Sequence, residues 1–347
     1  MGGHGKVRVA VIGAGYWGPN LIRNFSQLKD VEVSLVCDVD RSRLDHIRDL
    51  YPHVSVSDNY QEATRGTDVD AICVATPVRW HYEMAKDALL HDKHVMVEKP
   101  LTSDVGQAEE LVQLAESRGR VLLVDHTFEY TPAVNKIREM IVNGDLGEIY
   151  YVSMSRLNLG LFQKDINVIW DLAPHDISIL NFTLGHSPEA VSANGNANIL
   201  PDIEDVAMLT LYYPGNLIAY IQVSWLDPRK TRQATFVGNR KMLVYDDVEP
   251  LEKLKVYDKG VEGPKHYDTF GEFQLSYRYG DIYTPFLDSH EPLTMGCKHF
   301  LDCILRDALP KSGGPEGLSV VRVLEGAQRS LKKGGAKEAI EYKRGDQ

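Results

Sequence analysis

Between Val7 and about Asp125 the chain alternates short β-branched apolar runs with segments whose apolar residues return every three or four positions. The first kind predicts strands at Val7–Ile12, Val31–Cys37, Val69–Val74, His94–Val97 and Val121–Val124, with a weaker one near Val54. Helices are predicted to begin near Tyr16, Asp40, Val78 and Asp104. The last carries Ala108, Leu111, Val112 and Ala115 on one stripe and stops at Gly119. Strands alternating with helices in this way predict a doubly wound parallel sheet with crossover helices.

After Asp125 the rhythm changes. A helix is predicted over Pro132–Val142, stopped by Asn143-Gly144, then a half-buried strand over Ile149–Asn158 and a helix over Asp171–Leu184 closed by Gly185. Strand-like runs follow at Ala190–Gly195, Val206–Tyr213, Leu217–Trp225, Ala234–Val237 and Lys241–Tyr245. Their close spacing and turns such as Tyr213-Pro-Gly-Asn216 predict a large, mainly antiparallel sheet. Residues 250–290 are polar and aromatic and receive no element. Helices near Leu293–Arg306 and Gly317–Leu331 finish the fold, and the polar tail from Lys332 to Gln347 is expected to fray. The expected organisation is α/β, with domains at 1–125 and 126–347.

Composition narrows the function classes. The 347 residues are 43% apolar, enough to bury sizeable cores. Thirty-eight Lys and Arg against 49 Asp and Glu leave a net charge of −11, which argues against nucleic acid or anionic membrane as partners. No apolar run approaches the roughly 20 residues of a membrane helix, and Met1 to Lys6 lacks the apolar stretch of a signal peptide; a cytoplasmic protein is expected. Gly2 lacks the Ser or Thr that myristoylation wants at the place of Lys6. Cys37, Cys73, Cys297 and Cys303 form no CxxC pair and are expected as packed thiols.

Gly13-Ala-Gly15-Tyr16-Trp17-Gly18 has GxGxxG spacing directly after a predicted strand and at the start of a predicted helix. In that context Gly13 allows the tight turn, Gly15 lets backbone approach a pyrophosphate, and Gly18 lets helix and strand pack closely. The helix N-terminus then offers N–H groups to the phosphates. Pro19, at the edge of the first turn, sits where a missing N–H costs little. Asp38 lies 20 residues beyond Gly18, at the end of the second strand, where a carboxylate accepts from both hydroxyls of an adenine ribose. That favours NAD. Arg41 and Arg43 nearby could receive a 2′-phosphate, which keeps NADP open.

Two further stretches carry chemistry: Val97-Glu98-Lys99-Pro100 at the end of the fifth strand, and Trp170-Asp171-Leu-Ala-Pro-His175-Asp176 on a helix. In open parallel sheets ligands gather beyond the carboxyl ends of strands, where Thr76 and Lys99 stand. Oxidising an alcohol needs a base for the hydroxyl proton as the hydride leaves carbon. Asp171 and His175 share a helix face one turn apart, and histidine titrates near neutrality. Read without further context, the plainer alternatives are a surface lysine at Lys99, and a helix cap and a packing residue at Asp171 and His175. A metal at Asp171, His175 and Asp176 is not expected, because no HExxH or cysteine cluster completes a ligand set.

Taken together, the glycine motif, Ala75-Thr76-Pro77 followed by His81, Glu98-Lys99-Pro100, Asn143-Gly144-Asp-Leu-Gly147 and the Asp171/His175 pair resemble the Gfo/Idh/MocA family over nearly the whole chain. The resemblance implies a Rossmann domain followed by an α/β domain with an open sheet, and oxidation or reduction of sugars, polyols or their nucleotide conjugates with a nicotinamide cofactor. It implies catalytic roles for Lys99, Asp171 and His175: His175 as main proton acceptor, Lys99 holding the substrate oxygen and sharing the proton, Asp171 positioning or charging the other two. It also implies a cis bond between Lys99 and Pro100, and His81 near the nicotinamide. The expected cofactor set is Gly13, Gly15, Tyr16, Trp17, Gly18, Asp38, Arg43, Thr76, Pro77, His81, Glu98 and Lys99. The expected substrate set is Lys99, Arg156, Asn158, Trp170 and His175.

Around Trp170 to Ile179 the chain is most similar to branches that act in surface-polysaccharide pathways, among them UDP-N-acetylglucosamine 3-dehydrogenases. The resemblance therefore implies oxidation at C3 of a nucleotide-linked sugar. Arg156, Lys164, Arg229, Lys230 and Arg232, on predicted loops and strand ends, are candidate partners of its diphosphate. A free sugar or inositol dehydrogenase and a non-catalytic dinucleotide-binding regulator are the alternatives; the latter has no need of Lys99, Asp171 and His175 together. The open sheet of this family commonly packs on another copy, so a homodimer or homotetramer is expected.

Overall fold

The β-branched runs of the first third become buried strands of a parallel sheet, and the later alternating runs become a second, larger sheet. The computed structural model describes residues 6–262 and 276–343. In chain order the first elements are β1 (Val7–Ile12), α1 (Gly18–Ser26), β2 (Val31–Cys37), α2 (Arg41–Leu50), β3 (Ser55–Ser57), α3 (Gln61–Arg65), β4 (Ala71–Val74), α4 (His81–Leu90), β5 (His94–Glu98), α5 (Val105–Arg118) and β6 (Leu122–Asp125). Then come α6 (Pro132–Val142), β7 (Ile149–Leu159), α7 (Val168–Leu184), β8 (Ala190–Asn196), β9 (Val206–Tyr212), β10 (Ile218–Ser224), β11 (Leu226–Gly238), β12 (Met242–Asp246), β13 (Leu254–Glu262) and β14 (Ser276–Tyr283). The chain closes with α8 (Pro292–Arg306), α9 (Gly314–Lys332) and β15 (Glu338–Ala339).

Packing divides the chain into Met1–Thr131 with His290–Arg322, and Pro132–Ser289 with Val323–Gln347. In α8 the residues Leu293, Cys297, Phe300 and Leu301 form one apolar stripe, which joins the core made by Val9, Val11, Leu21, Ile22 and Phe25. Phe25 and Phe300 meet edge to face with ring centroids 6.5 Å apart.

In the first unit the parallel strands run in the order β3-β2-β1-β4-β5-β6, the doubly wound arrangement whose ligands gather at the carboxyl edge where the order reverses, beside β1 and β4. Asp104 caps α5 by accepting from Gln107 N–H, and Gly119 ends that helix at a φ of +58°.

The sheet of the second unit has the order β14-β13-β12-β11-β7-β10-β9-β8-β15, with β7 and β10 parallel and the other neighbours antiparallel. Val152, Met154, Leu209, Leu211, Ala219, Ile221 and Val223 are buried, and α7 packs on β7, β9 and β10. Alternate positions on the same strands, among them Tyr151, Met208 and Tyr220, are exposed.

Other expectations about the elements change. β11 begins at Leu226, well ahead of the predicted Ala234, so Arg229, Lys230 and Arg232 lie within a strand whose pairing with β7 slips between Leu226 and Thr231. That slip interrupts the hydrophobic alternation. The unassigned span 250–290 contains β13 and β14, paired to each other, and 263–275 lies outside the described residues. The tail, expected to fray, is pinned: β15 pairs with β8, Ile340 is buried and its N–H donates to Glu189 O. A two-residue strand is too short to show a period; residues 344–347 lie outside the described part.

Candidate active site

The glycine loop is forced by close backbone approaches. Gly13 has a φ of +101°, and a Cβ there would stand 2.6 Å from Ala75 O; a Cβ on Gly18 would stand 2.0 Å from Gly13 O. At Gly15 an added Cβ would meet only Arg43 Nη1, at 3.6 Å, so the loop's surface is open. No side chain caps α1; in its first turn Pro19 has no N–H and the Asn20 N–H donates to Trp17 O at 3.0 Å, which leaves the Gly18 N–H for an anion. Tyr16 and Trp17 project into solvent, edge to face at 5.4 Å.

Asp38 has a second duty that spacing alone did not reveal. One carboxylate oxygen accepts Ala14 N–H at 2.7 Å and the other accepts Asp40 N–H at 2.8 Å, so the residue braces the loop as well as marking the end of β2. Arg43 sits 3.4 Å from Asp38 and 3.5 Å from Asp40, while Arg41 pairs with Asp58. This loop and carboxylate fit NAD: Gly13, Gly15 and the start of α1 would take the pyrophosphate, and Asp38 the ribose.

Thr76 and Pro77 follow β4, and Thr76 Oγ1 lies 3.7 Å from Met84 Sδ. His81 is buried, with Nδ1 2.9 Å from Pro100 O and Nε2 2.8 Å from Thr76 O. Burial pushes it toward the neutral form, which donates to one of these carbonyls at a time. It ties the segment after β4 to the segment after β5, where Lys99 is half-buried and joined to Pro100 by a cis peptide. Directly before Lys99, Glu98 is the register partner of Asp125 at the end of β6, and both are buried. Burial raises both carboxyls, and the charge of Asp125 adds to the rise at Glu98. Sequence reading picked Glu98 and missed Asp125; parallel register is what makes them neighbours.

In the second unit α7 starts earlier than predicted. Its N-cap is Asn167, whose side chain accepts Trp170 N–H, so Asp171 is not the cap and its carboxylate is left for other work. Asp171 Oδ2 accepts the Trp225 indole N–H at 3.0 Å, and the Trp225 ring packs on Phe162 at 5.4 Å. A Cβ on Gly160 would stand 2.6 Å from Trp225 Cδ1 and 3.0 Å from Asn158 Nδ2, so the indole, the end of β7 and α7 meet closely. Trp225 was missed as a site residue because it reads as the apolar end of a strand. His175 lies one turn beyond Asp171 on α7, half-buried, and Trp170 is buried.

Arg156 is placed differently from a residue waiting for a diphosphate. It is buried on β7, with Nε 3.1 Å from both oxygens of Asp176 and Nη2 2.7 Å from Oδ1. Lys164, Arg229 and Lys230 are exposed, and Arg232 lies 3.5 Å from Asp247. Among the described residues no group of three His, Cys, Asp or Glu side chains is arranged to hold a metal.

A doubly wound sheet with this glycine loop defines a dinucleotide-binding protein. Residues 7–126 match the oxidoreductase family GFO_IDH_MocA, NAD-binding Rossmann fold, and residues 134–244 match the GFO/IDH/MocA C-terminal domain. The chain belongs to the Gfo/Idh/MocA oxidoreductases, and its first unit carries their NAD-binding Rossmann domain. It is 34% identical over 152 residues to the D-glucoside 3-dehydrogenase of Escherichia coli K12, covering 44% of this chain and 43% of that one. Among solved structures it superposes on UDP-N-acetylglucosamine 3-dehydrogenase GnnA from Acidithiobacillus ferrooxidans with a TM-score of 0.78 at 21% identity, over 95% of this chain and 98% of the other. GenD2 from gentamicin A biosynthesis, solved with NAD, gives 0.81 at 21% identity over 99% of each chain. At such identities the last two are likenesses of fold.

Proposed function

We propose that this chain interconverts a secondary alcohol and a ketone on a sugar, at C3 of a nucleotide-linked sugar. The observation that carries the reading is α7, which presents Asp171 and His175 one turn apart with Asp171 held by the Trp225 indole. Bound NAD supplies the hydride acceptor. His175 takes the hydroxyl proton, Lys99 holds the alcohol oxygen and shares that proton, and Asp171 keeps charge and orientation beside His175. Burial favours the protonated form of Glu98, the residue directly before Lys99.

The nucleotide-linked substrate is supported by cations at one end of the second unit's sheet. Lys164 follows β7, and Arg229 and Lys230 stand in the slipped stretch of β11, the strand that starts directly after Trp225. All three are exposed and suit a diphosphate. Arg156 is dropped from that set because Asp176 occupies its guanidinium. Incubation with UDP-sugars and free polyols, with NAD reduction followed and the keto product identified, tests the reading. The UDP-sugar should outcompete the free sugar; equal or better use of the free sugar rejects it.

Asp38 sets the cofactor preference. Asp38→Ala should weaken NAD binding by about 1–3 kcal/mol, through lost ribose contacts and loss of the brace on Ala14 N–H, and NADP binding by less, because repulsion of the 2′-phosphate goes too. Titration with both cofactors checks this; a larger loss for NADP contradicts the assignment. The face bearing Tyr151, Met208 and Tyr220 is proposed to pack on a second copy, so a monomeric molar mass in solution refutes that pairing.

A further inference from the structure

The opposite edge of the parallel sheet carries cations that the proposed reaction does not use. Lys6, Lys93, His94 and Arg120 line a cavity of about 470 Å³ at the amino ends of β1, β4 and β5. Its carboxylates are already engaged. Asp70 accepts from Arg8 through the backbone N–H at 2.8 Å, Nε at 3.0 Å and Nη2 at 2.7 Å, and Asp92 pairs with Arg118 at 3.3 Å. Lys93 Nζ is seated on the carbonyls of Gly66 and Val69, each at 2.7 Å, which orders the ammonium without neutralising it.

Arg120 is short of acceptors. Among the described residues it forms no ion pair, and its Nε is buried with no hydrogen-bond partner. Its Nη1 lies 3.3 Å from His94 Nε2, and His94 Nδ1 accepts Val121 N–H at 3.1 Å. Burial and the Arg120 charge hold the ring neutral, with the His94 pKa lowered to about 4. A neutral imidazole that accepts at Nδ1 carries its hydrogen on Nε2, so it offers the guanidinium no lone pair. A half-buried guanidinium with five donors and no carboxylate partner among the described residues is short of the acceptors it needs, and it shares the cavity wall with two ammonium groups in a chain of net charge −11.

We infer that this cavity binds a phosphoryl oxyanion, with Arg120 as its donor fork and Lys6 and Lys93 as flanking charges. A dianion matches three cations better than a singly charged carboxylate, and its tetrahedral oxygens suit a guanidinium. Arg120 also borders an adjoining hollow of about 510 Å³, with Val112, Ala115 and Leu122 on its wall, which has room for an organic group esterified to the phosphate.

The test uses the full chain with saturating NAD, so that the glycine loop cannot take the probe. Inorganic phosphate is titrated at constant ionic strength against chloride while thermal unfolding is followed. A saturable rise in Tm is expected, with half-saturation raised about tenfold or more in Arg120→Gln. No rise beyond chloride, or an equal rise in Arg120→Gln, overturns the site. As a second readout, the His94 ring resonances of the wild-type protein should move with the same saturation; unmoved resonances overturn it too. Phenyl phosphate distinguishes the sources: competition with phosphate identifies an esterified ligand, and its absence identifies the free ion.

Discussion

Lys99→Ala and His175→Ala are expected to lower turnover by about 10²–10⁴-fold each while NAD binding stays near the wild-type level. The loss follows from the proposed division of labour. Lys99 stands immediately beyond β5, half-buried, in a segment tied through Pro100 O to His81, so its ammonium leaves a braced backbone. His175 emerges from a capped helix one turn after an aspartate that an indole holds. Neither belongs to the glycine loop or the Asp38 brace, so the pyrophosphate and adenine-ribose contacts survive, and Lys99→Ala loses only the one cofactor contact expected of Lys99. With histidine as base, kcat/KM should fall at acid pH as the ring protonates, and that limb should vanish in His175→Ala. Steady-state kinetics with an NAD titration on each variant decides the matter. Wild-type turnover in either one removes that residue from the mechanism.

Arg156→Ala is expected to destabilise the chain by about 3–5 kcal/mol, because it strands the Asp176 carboxylate in a buried environment. Both side chains are almost fully buried, 5% and 3% exposed, and their bidentate contact joins β7 to α7, the helix that bears Asp171 and His175. Replacing both partners with apolar residues, as Arg156→Met with Asp176→Leu, should recover much of the loss, since neither charge is then left unpaired. Chemical denaturation of the wild type, the single and the double variant measures this. A single variant within about 1 kcal/mol of wild type would show that the pair does not secure α7.

The same pair shows why the chain's chemistry was only partly legible in its letters. An arginine on a predicted strand end reads as a phosphate ligand, because strand ends are exposed on average. Its partner lies 20 positions away, and only the packing of α7 on β7 shows that the guanidinium is spent. Asp171 and Trp225 are likewise 54 positions apart, and no periodicity connects a helix aspartate to the tryptophan ending a strand. Glu98 and Asp125 become a carboxyl pair through register between neighbouring strands, a quantity that one strand's alternation does not contain.

Local pattern alone determined what depends on neighbours along the chain. The strands Val7–Ile12 and Val31–Cys37, the helix stopped by Gly119, the glycine turn and the Asp38 spacing all follow from side-chain period, capping and positive φ, which act over a few residues. What depends on distant partners was decided by the tertiary structure: α8 joining the first core, β15 closing the second sheet, Arg156 turning inward to Asp176, and Arg120 Nε left without an acceptor among the described residues. Burial and pairing across the fold set the energy of a charged or apolar group, and one-dimensional spacing carries no record of either.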